Sequence, residues 1–416
     1  MDQKINVGTN TKFFLLALVI IAIMVVPAFS FLANTEVVEE EPEALVINYP
    51  WNMELAGDYG VEHQALLKYK GIYTVSVVEE QEHFVSVLRY VPREIPQGIK
   101  GIYVPPGVVL SEKRFAETLA LIERTELNAI VIDVKDDWGN LTYQSSVIEA
   151  QEAGAVRPRM DIEKVLAELK SRDIYTIARL VVFKDNTMAT ARPEWSVQHV
   201  NGGRWTDYKG IGWTDPYNME VWEYNLAIAE EVAGYGFDEI QFDYVRFPSD
   251  GPLSLAVYSV ESDWNKDKAI GEFLRYSKQR LEPYGTFLSA DVFGLVPTAI
   301  DGMGIGQKWE EVIDGPDFVS PMVYPSHYAR GTYGLADPDR APYETVYASL
   351  RDGMARWEEG NAIVRPWLQD FSLQSRYGAE EVRAQIEATY DAGLDQWLLW
   401  HPAGIYTEDA LLPAQN

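Results

Sequence analysis

The sequence contains no cysteine, which excludes disulfides, thiolate nucleophiles and cysteine-ligated zinc or iron–sulfur sites. Histidine is scarce: His63, His83, His199, His327 and His401 form no HExxH or other closely spaced pair, and no GxSxG elbow occurs. Metal-dependent deacetylase and serine hydrolase chemistry are thereby disfavoured, and nothing calls for a cofactor. Positive charge is also short, with 35 Lys and Arg against 63 Asp and Glu and a formal net charge of −28. Nucleic acid and anionic lipid surfaces are poor partners for such a chain. The surplus acid reads first as a solubility feature and only second as the sign of a cationic substrate. Against these absences, 416 residues with a hydrophobic fraction of 47% are enough for a large globular core. The 12 tryptophans and 24 tyrosines offer faces that stack on sugar rings, although most are expected in the core.

One long apolar run stands out, FFLLALVIIAIMVVPAFSFL from Phe13 to Leu32, preceded by Lys4 and Lys12. It is uncharged and matches the ~20 residues that cross a bilayer, with basic residues on the side expected to stay cytoplasmic. Residues 1–34 therefore read as an uncleaved transmembrane anchor with an extracytoplasmic remainder. The alternative is a signal segment cleaved near Ala28 or Ser30, which would release the protein. Residues 35–47 read as an acidic linker, NTEVVEEEPEA with Pro42, and residues 48–97 as a small β-rich module. Within that module GIYTVSVV (Gly71 to Val78) and FVSVLRYV (Phe84 to Val91), separated by EEQEH, predict a hairpin.

From residue 98 to residue 412 the rhythm changes. Short β-branched and aromatic runs fall at Gly101 to Pro106, Ala129 to Asp136, Tyr175 to Phe183, Glu239 to Pro248, Phe287 to Gly294, Phe318 to Pro325, Ile363 to Phe371 and Gln396 to Pro402. Between them lie amphipathic stretches such as SEKRFAETLALIERT, DIEKVLAELKSRD, NMEVWEYNLAIAEEVAGY and AEEVRAQIEATYDAG, with apolar residues at three- and four-residue steps. This alternation predicts an α/β fold, a closed (β/α)8 TIM barrel. The competing open doubly wound sheet lacks its glycine-rich phosphate loop after the first strand.

In such barrels the chemistry lies at the C-terminal ends of the strands. Asp243 and Arg246 end the fourth strand in EIQFDYVRFP, and alternation places Gln241, Asp243 and Val245 inward with Ile240, Phe242 and Tyr244 outward. The fifth strand places Asp291 at nearly the same depth. Strands ~4.7–4.9 Å apart would let the two carboxylates approach the ~5–5.5 Å of a retaining glycosidase, and close acids drive their pKa values apart. Asp243 is then the candidate nucleophile, or the water-activating base in an inverting enzyme, and Asp291 the candidate general acid. Two acids holding a cation is the competing reading.

In DVKDDWG, Asp133 and Lys135 share a face and are expected to pair inside the barrel, making Asp133 structural or sugar-binding, while Asp136 sits nearer the mouth. Arg179, unusual within IARLVVF, would hold Asp243 ionised or simply form a structural ion pair. Tyr324, His327, Gln369, Asp370, Trp400 and His401 end the last three strands; of these Tyr324, His327, Gln369 and Trp400 join Asp133, Asp136, Arg179 and Arg246 as candidate substrate contacts.

Taken together, KGIYVPPGVV, AIVIDVKDD, IARLVVFKD, GFDEIQFDYVRFPSDG, SADVFG and MVYPSHY resemble a bacterial family of glycoside-hydrolase-like proteins long catalogued as a domain of unknown function. The resemblance spans about Gly98 to Pro402 and implies a glycosidase-like TIM barrel, often exported or membrane-anchored. It assigns no catalytic residues; those above rest on strand position and chemistry. The resulting expectation is hydrolysis of an extracytoplasmic polysaccharide or oligosaccharide. The alternative is a non-catalytic carbohydrate-binding or envelope-organising barrel.

Overall fold

The computed structural model describes residues 94–414 and, before them, the backbone strands Val37–Val38, Ala44–Asn48, Tyr73–Glu80 and His83–Tyr90. The expected membrane segment from Phe13 to Leu32 lies outside the described residues, and no helix among the described residues is long and apolar enough to cross a membrane. The chain divides into two compact units, with the break before Glu94. In the first, Tyr73–Glu80 and His83–Tyr90 pair antiparallel from Tyr73 with Tyr90 to Glu80 with His83. Ala44–Asn48 adds on the far side of His83–Tyr90, and Val37–Val38, in the stretch read as a linker, pairs with Ala44 and Leu45.

The second unit is a closed parallel barrel. Its strands are β1 (Lys100–Val104), β2 (Ala129–Lys135), β3 (Tyr175–Val181), β4 (Glu239–Asp243), β5 (Phe287–Phe293), β6 (Phe318–Met322), β7 in two segments (Ile363–Val364 and Trp367–Gln369) and β8 (Trp397–Trp400). Each pairs with its sequence neighbours, and β8 pairs with β1 to close the ring. The helices outside are α1 (Glu112–Arg124), α2 (Ile162–Lys170), α3 (Met219–Tyr235), α4 (Lys266–Leu281), the single turn α5 (Trp309–Val312), α6 (Pro342–Met354) and α7 (Ala379–Asp391). Ser111, Asp161, Asn218 and Asn265 each cap the helix that follows by accepting a backbone N–H, which fixes where α1 to α4 begin. Among the described residues after β8 the one helical element is the 3-10 turn Glu408–Ala410.

Two hydrophobic clusters follow from strand alternation. The larger fills the layer between sheet and helices, with Ile102, Ile130, Ile132, Ala178, Leu180, Ile240, Phe242, Leu288, Ala290 and Leu399 pointing outward. The smaller lies inside the barrel and comprises Tyr103, Val131, Ile177, Tyr324, Trp367 and Leu398. The inward residues of β4 each meet a different layer of the interior. Glu239, at the strand's start, is clamped by both Nη atoms of Arg365; the Gln241 side-chain amide donates to Ser320 Oγ; Asp243 reaches the mouth. The lower end is thus plugged by a fully buried ion pair.

Two local departures from strand geometry correct the expected facings. Between Asp133 and Lys135 the β2–β3 register slips: Asp133 lies opposite Arg179, but Lys135 lies opposite Leu180. This bulge turns Lys135 out of the barrel, where it pairs with Asp185 at 2.7 Å and donates to Asn225 of α3 at 2.8 Å, so it does not pair with Asp133. At the end of β4, Tyr244 takes φ +51°, in the left-handed region that a bulky side chain seldom adopts. The expected alternation stops there: Tyr244 borders the central cavity and Val245 enters the outer core.

Candidate active site

A cavity of about 580 Å³ opens at the C-terminal ends of the strands, the end where barrel active sites lie. Of the residues expected there, Asp243, Asp291, Arg179, Arg246, Tyr324, His327 and Trp400 border it. Asp243 and Asp291 stand one step beyond the last paired residues of β4 and β5, Phe242 and Ala290, and so at the same level on adjacent strands.

Their surroundings differ sharply. Asp243 Oδ2 accepts from both Nε and Nη2 of Arg179, at 2.9 and 2.5 Å, and its Oδ1 accepts from the Tyr244 backbone N–H at 2.6 Å. Asp291 is 2% exposed, and the hydrogen bond to its carboxyl comes from Trp367 Nε1, 2.8 Å from Oδ1. Burial, reinforced by the Asp243 charge, pushes the Asp291 carboxyl well above the usual carboxylate range, against the smaller opposing effect of Trp367. The pair therefore consists of one carboxyl bound by an arginine and one buried carboxyl that retains its proton.

Arg179 organises the charged side. Besides Asp243 it donates to Asp133 Oδ1 at 2.7 Å and to Asp137 Oδ1 at 3.0 Å. Asp133 also accepts from Tyr103 Oη at 2.6 Å and lies behind the cavity wall; burial pushes its carboxyl up, with Arg179 opposing. Burial acts on Asp137 in the same sense, but Arg179 and Lys184 outweigh it and hold that carboxyl below the usual range. Trp400 stacks on Tyr103 with ring centres 4.0 Å apart and meets Trp367 edge-on at 5.5 Å, so two indoles line one wall with the Tyr103 ring stacked on one of them. Tyr324 and His327 stand edge-to-face at 5.4 Å on the adjoining side.

Besides Asp133, two more expected contacts do not border the cavity, Asp136 and Gln369. Asp136 accepts the backbone N–H groups of Trp138 and Asn140 and closes the turn after β2, so it is a turn residue away from the cavity. Gln369 is fully buried beside the Pro325–His327 turn; its Oε1 accepts from Ser326 N and Oγ, and its Nε2 donates to Phe371 O, which occupies the side chain. Asp137, Tyr244 and Trp367, which the sequence reasoning left out, border the cavity. Trp367 was recoverable, because it lies two residues before Gln369 on one strand and shares its face. Asp137 and Tyr244 depend on the bulge and on the positive φ, neither of which leaves a residue-level signal. Among the described residues no group of three or more His, Asp or Glu side chains is placed to hold a metal ion.

A closed (β/α)8 barrel with an arginine-bound carboxyl and a buried, proton-retaining carboxyl at one aromatic-walled cavity defines the class, a barrel glycosidase. The chain belongs to the family described as "Putative glycosyl hydrolase domain", which matches residues 101–406 and so covers the whole barrel. Among solved structures, a hypothetical protein from Ruminiclostridium thermocellum ATCC 27405 is 38% identical over 49% of this chain and 98% of its own, with a TM-score of 0.43. The glycoside hydrolase domain of PgaB (BpsB) from Bordetella bronchiseptica is 14% identical over 74% of this chain and 95% of its own, with a TM-score of 0.50, a likeness of fold alone. No curated protein matches the chain.

Proposed function

We propose that the barrel hydrolyses a glycosidic bond of an extracytoplasmic polysaccharide, with Asp291 protonating the leaving oxygen and Asp243 acting on the opposite side as nucleophile or as base toward water. The observation that carries this is the asymmetry of the pair: an arginine contacts Asp243 directly, whereas Asp291 is buried, proton-retaining and free of any cation contact. Acid/base hydrolysis of an acetal needs one carboxyl in each state. The Trp400 and Trp367 indoles offer apolar surface to a sugar ring, and Tyr324 borders the same cavity. The apolar run from Phe13 to Leu32 supports a membrane-anchored location with the barrel outside the cytoplasm.

A second reading, a carbohydrate-binding barrel without turnover, draws on one feature: both oxygens of Asp243 are already engaged, by Arg179 and by the Tyr244 N–H. The two separate in a single assay, release of reducing ends from a panel of bacterial envelope and exopolysaccharides by the wild type and by Asp243→Asn and Asp291→Asn. The hydrolase reading expects turnover in the wild type and a loss of at least about 100-fold in each variant, the usual weight of a positioned acid or base. Binding by all three proteins with no turnover by any would establish the second reading instead.

A further inference from the structure

Three arginines are buried in the barrel, and they are not alike. Arg365 is paired with Glu239 at the lower end, and Arg179 serves three aspartates. Arg246 is 6% exposed and borders the cavity, yet it forms no ion pair, and its one hydrogen bond is from Nη1 to the Phe247 carbonyl at 3.0 Å. Its guanidinium is held between rings, 4.5 Å from the centre of Phe293 and 4.9 Å from those of Trp213 and Tyr244. The guanidinium is thus packed among aromatic rings in a residue that borders the cavity. Taking a guanidinium out of water costs several kcal/mol unless an anion or a full set of acceptors replaces the lost hydration. Among the described residues Arg246 has the Phe247 carbonyl as acceptor and feels Asp243, Asp250 and Asp207 electrostatically, but none of these carboxylates forms an ion pair with it.

We infer that Arg246 receives a carboxylate carried by the substrate, and hence that the glycan is acidic, with a uronic acid in the ring seated beside the Asp243–Asp291 pair. This rests on the glycosidase reading for the ligand being a sugar. A planar fork of N–H donors matches a planar carboxylate with two parallel hydrogen bonds. Lys209 borders the same cavity from the exposed loop between β3 and α3, but exposed Asp250 offsets it, so the selectivity falls to the buried group. A singly charged carboxylate also suits a site that already contains the Asp243 anion better than a doubly charged phosphate does.

The test is calorimetric titration of the full-length protein with an oligogalacturonate and with the same oligosaccharide after reduction of its carboxyls to alcohols, alongside a sulfated counterpart. The acid form is expected to bind about tenfold or more tighter than the reduced form, the weight of one charge-assisted contact. Arg246→Gln should erase that preference, and Arg246→Lys should retain part of it. Equal or tighter binding of the reduced sugar, a preference for the sulfated one, or a preference that survives in Arg246→Gln would overturn the inference. Should Arg246→Gln fail to fold, the wild-type preference and its reduction in Arg246→Lys decide the matter. Reducing-end release from the same oligosaccharides keeps the two readings apart. Cleavage of neutral glycans without an acid preference would sink the Arg246 inference and leave the glycosidase standing; selective binding of the acid without cleavage would do the reverse. Neither binding nor cleavage of any of them would overturn both.

Discussion

At the scale of single residues, the Asp291 proton is governed by burial and by neighbours whose effects have different signs. Burial and Asp243 raise the carboxyl, and the Trp367 N–H, by favouring the anion, lowers it. Trp367→Phe keeps an aromatic ring in the wall but removes that donor, so Asp291 should hold its proton to higher pH. If Asp291 is the general acid, the basic limb of the kcat/KM profile then moves upward in pH in the variant. A limb that stays put or moves down would take Asp291 out of the acid role. Arg179 makes the complementary case for stability. Arg179→Met keeps most of the stem's volume but leaves Asp133, Asp137 and Asp243 without their shared cation, and breaking a buried pair in this way costs about 3–5 kcal/mol. A urea midpoint corresponding to less than about 1 kcal/mol of loss would mean that the aspartates find protons or other donors cheaply.

At the scale of elements, the segment DVKDDWG illustrates what periodicity carries and what it omits. Alternation correctly sends Asp133 inward, but a one-residue slip then reverses every facing after it. Lys135 is thereby delivered to Asp185 on the outer side, Asp136 to the turn, and Asp137 to Arg179. Gly139 completes the turn at φ +87°, where a Cβ would stand 1.9 Å from Asp185 Oδ1. The eight strands and the main helices were legible because burial imposes periods of two and 3.6 along many residues. Bulges and single positive-φ residues have no period, and the two that matter here lie at the strand ends that build the site.

Asp370, just after β7, shows another element-level device. Its carboxylate oxygens accept from Thr407 N at 2.8 Å and Thr407 Oγ1 at 2.7 Å, tying β7 to the segment after β8. Burial outweighs those hydrogen bonds and pushes the carboxyl up to about 6. A folded pKa above the unfolded ~3.9 means that the stability from this group is complete below pH ~4 and is lost as pH rises through about 6. The swing is on the order of 3 kcal/mol. Thermal melts of wild type and Asp370→Asn from pH 4 to 8 should therefore show the wild type losing ground to the variant up to about 7 and no further change beyond. A constant offset at all pH values would contradict the assignment, since a lost hydrogen bond alone has no such slope.

At the scale of the whole molecule, a formal charge of −28 and an acidic glycan repel each other at long range, although Arg246 attracts the carboxylate at contact. The two interactions respond differently to salt. Repulsion across solvent is screened over the Debye length, which falls from ~30 Å at ~0.01 M to ~8 Å at ~0.15 M, while a pair enclosed at a buried guanidinium is screened much less. Association of a uronate oligosaccharide, followed by stopped-flow fluorescence of the cavity tryptophans, should consequently accelerate as salt is raised through that range, with the dissociation rate changing little. The reduced, neutral oligosaccharide should show no such acceleration. An on-rate for the uronate that falls with salt would mean that the field at the mouth is positive despite the net charge, and that Lys184, Lys209 and Arg246 together dominate it. That outcome would shift recognition from one buried arginine to a cationic mouth, in which case Lys209→Gln should slow association as much as Arg246→Gln does.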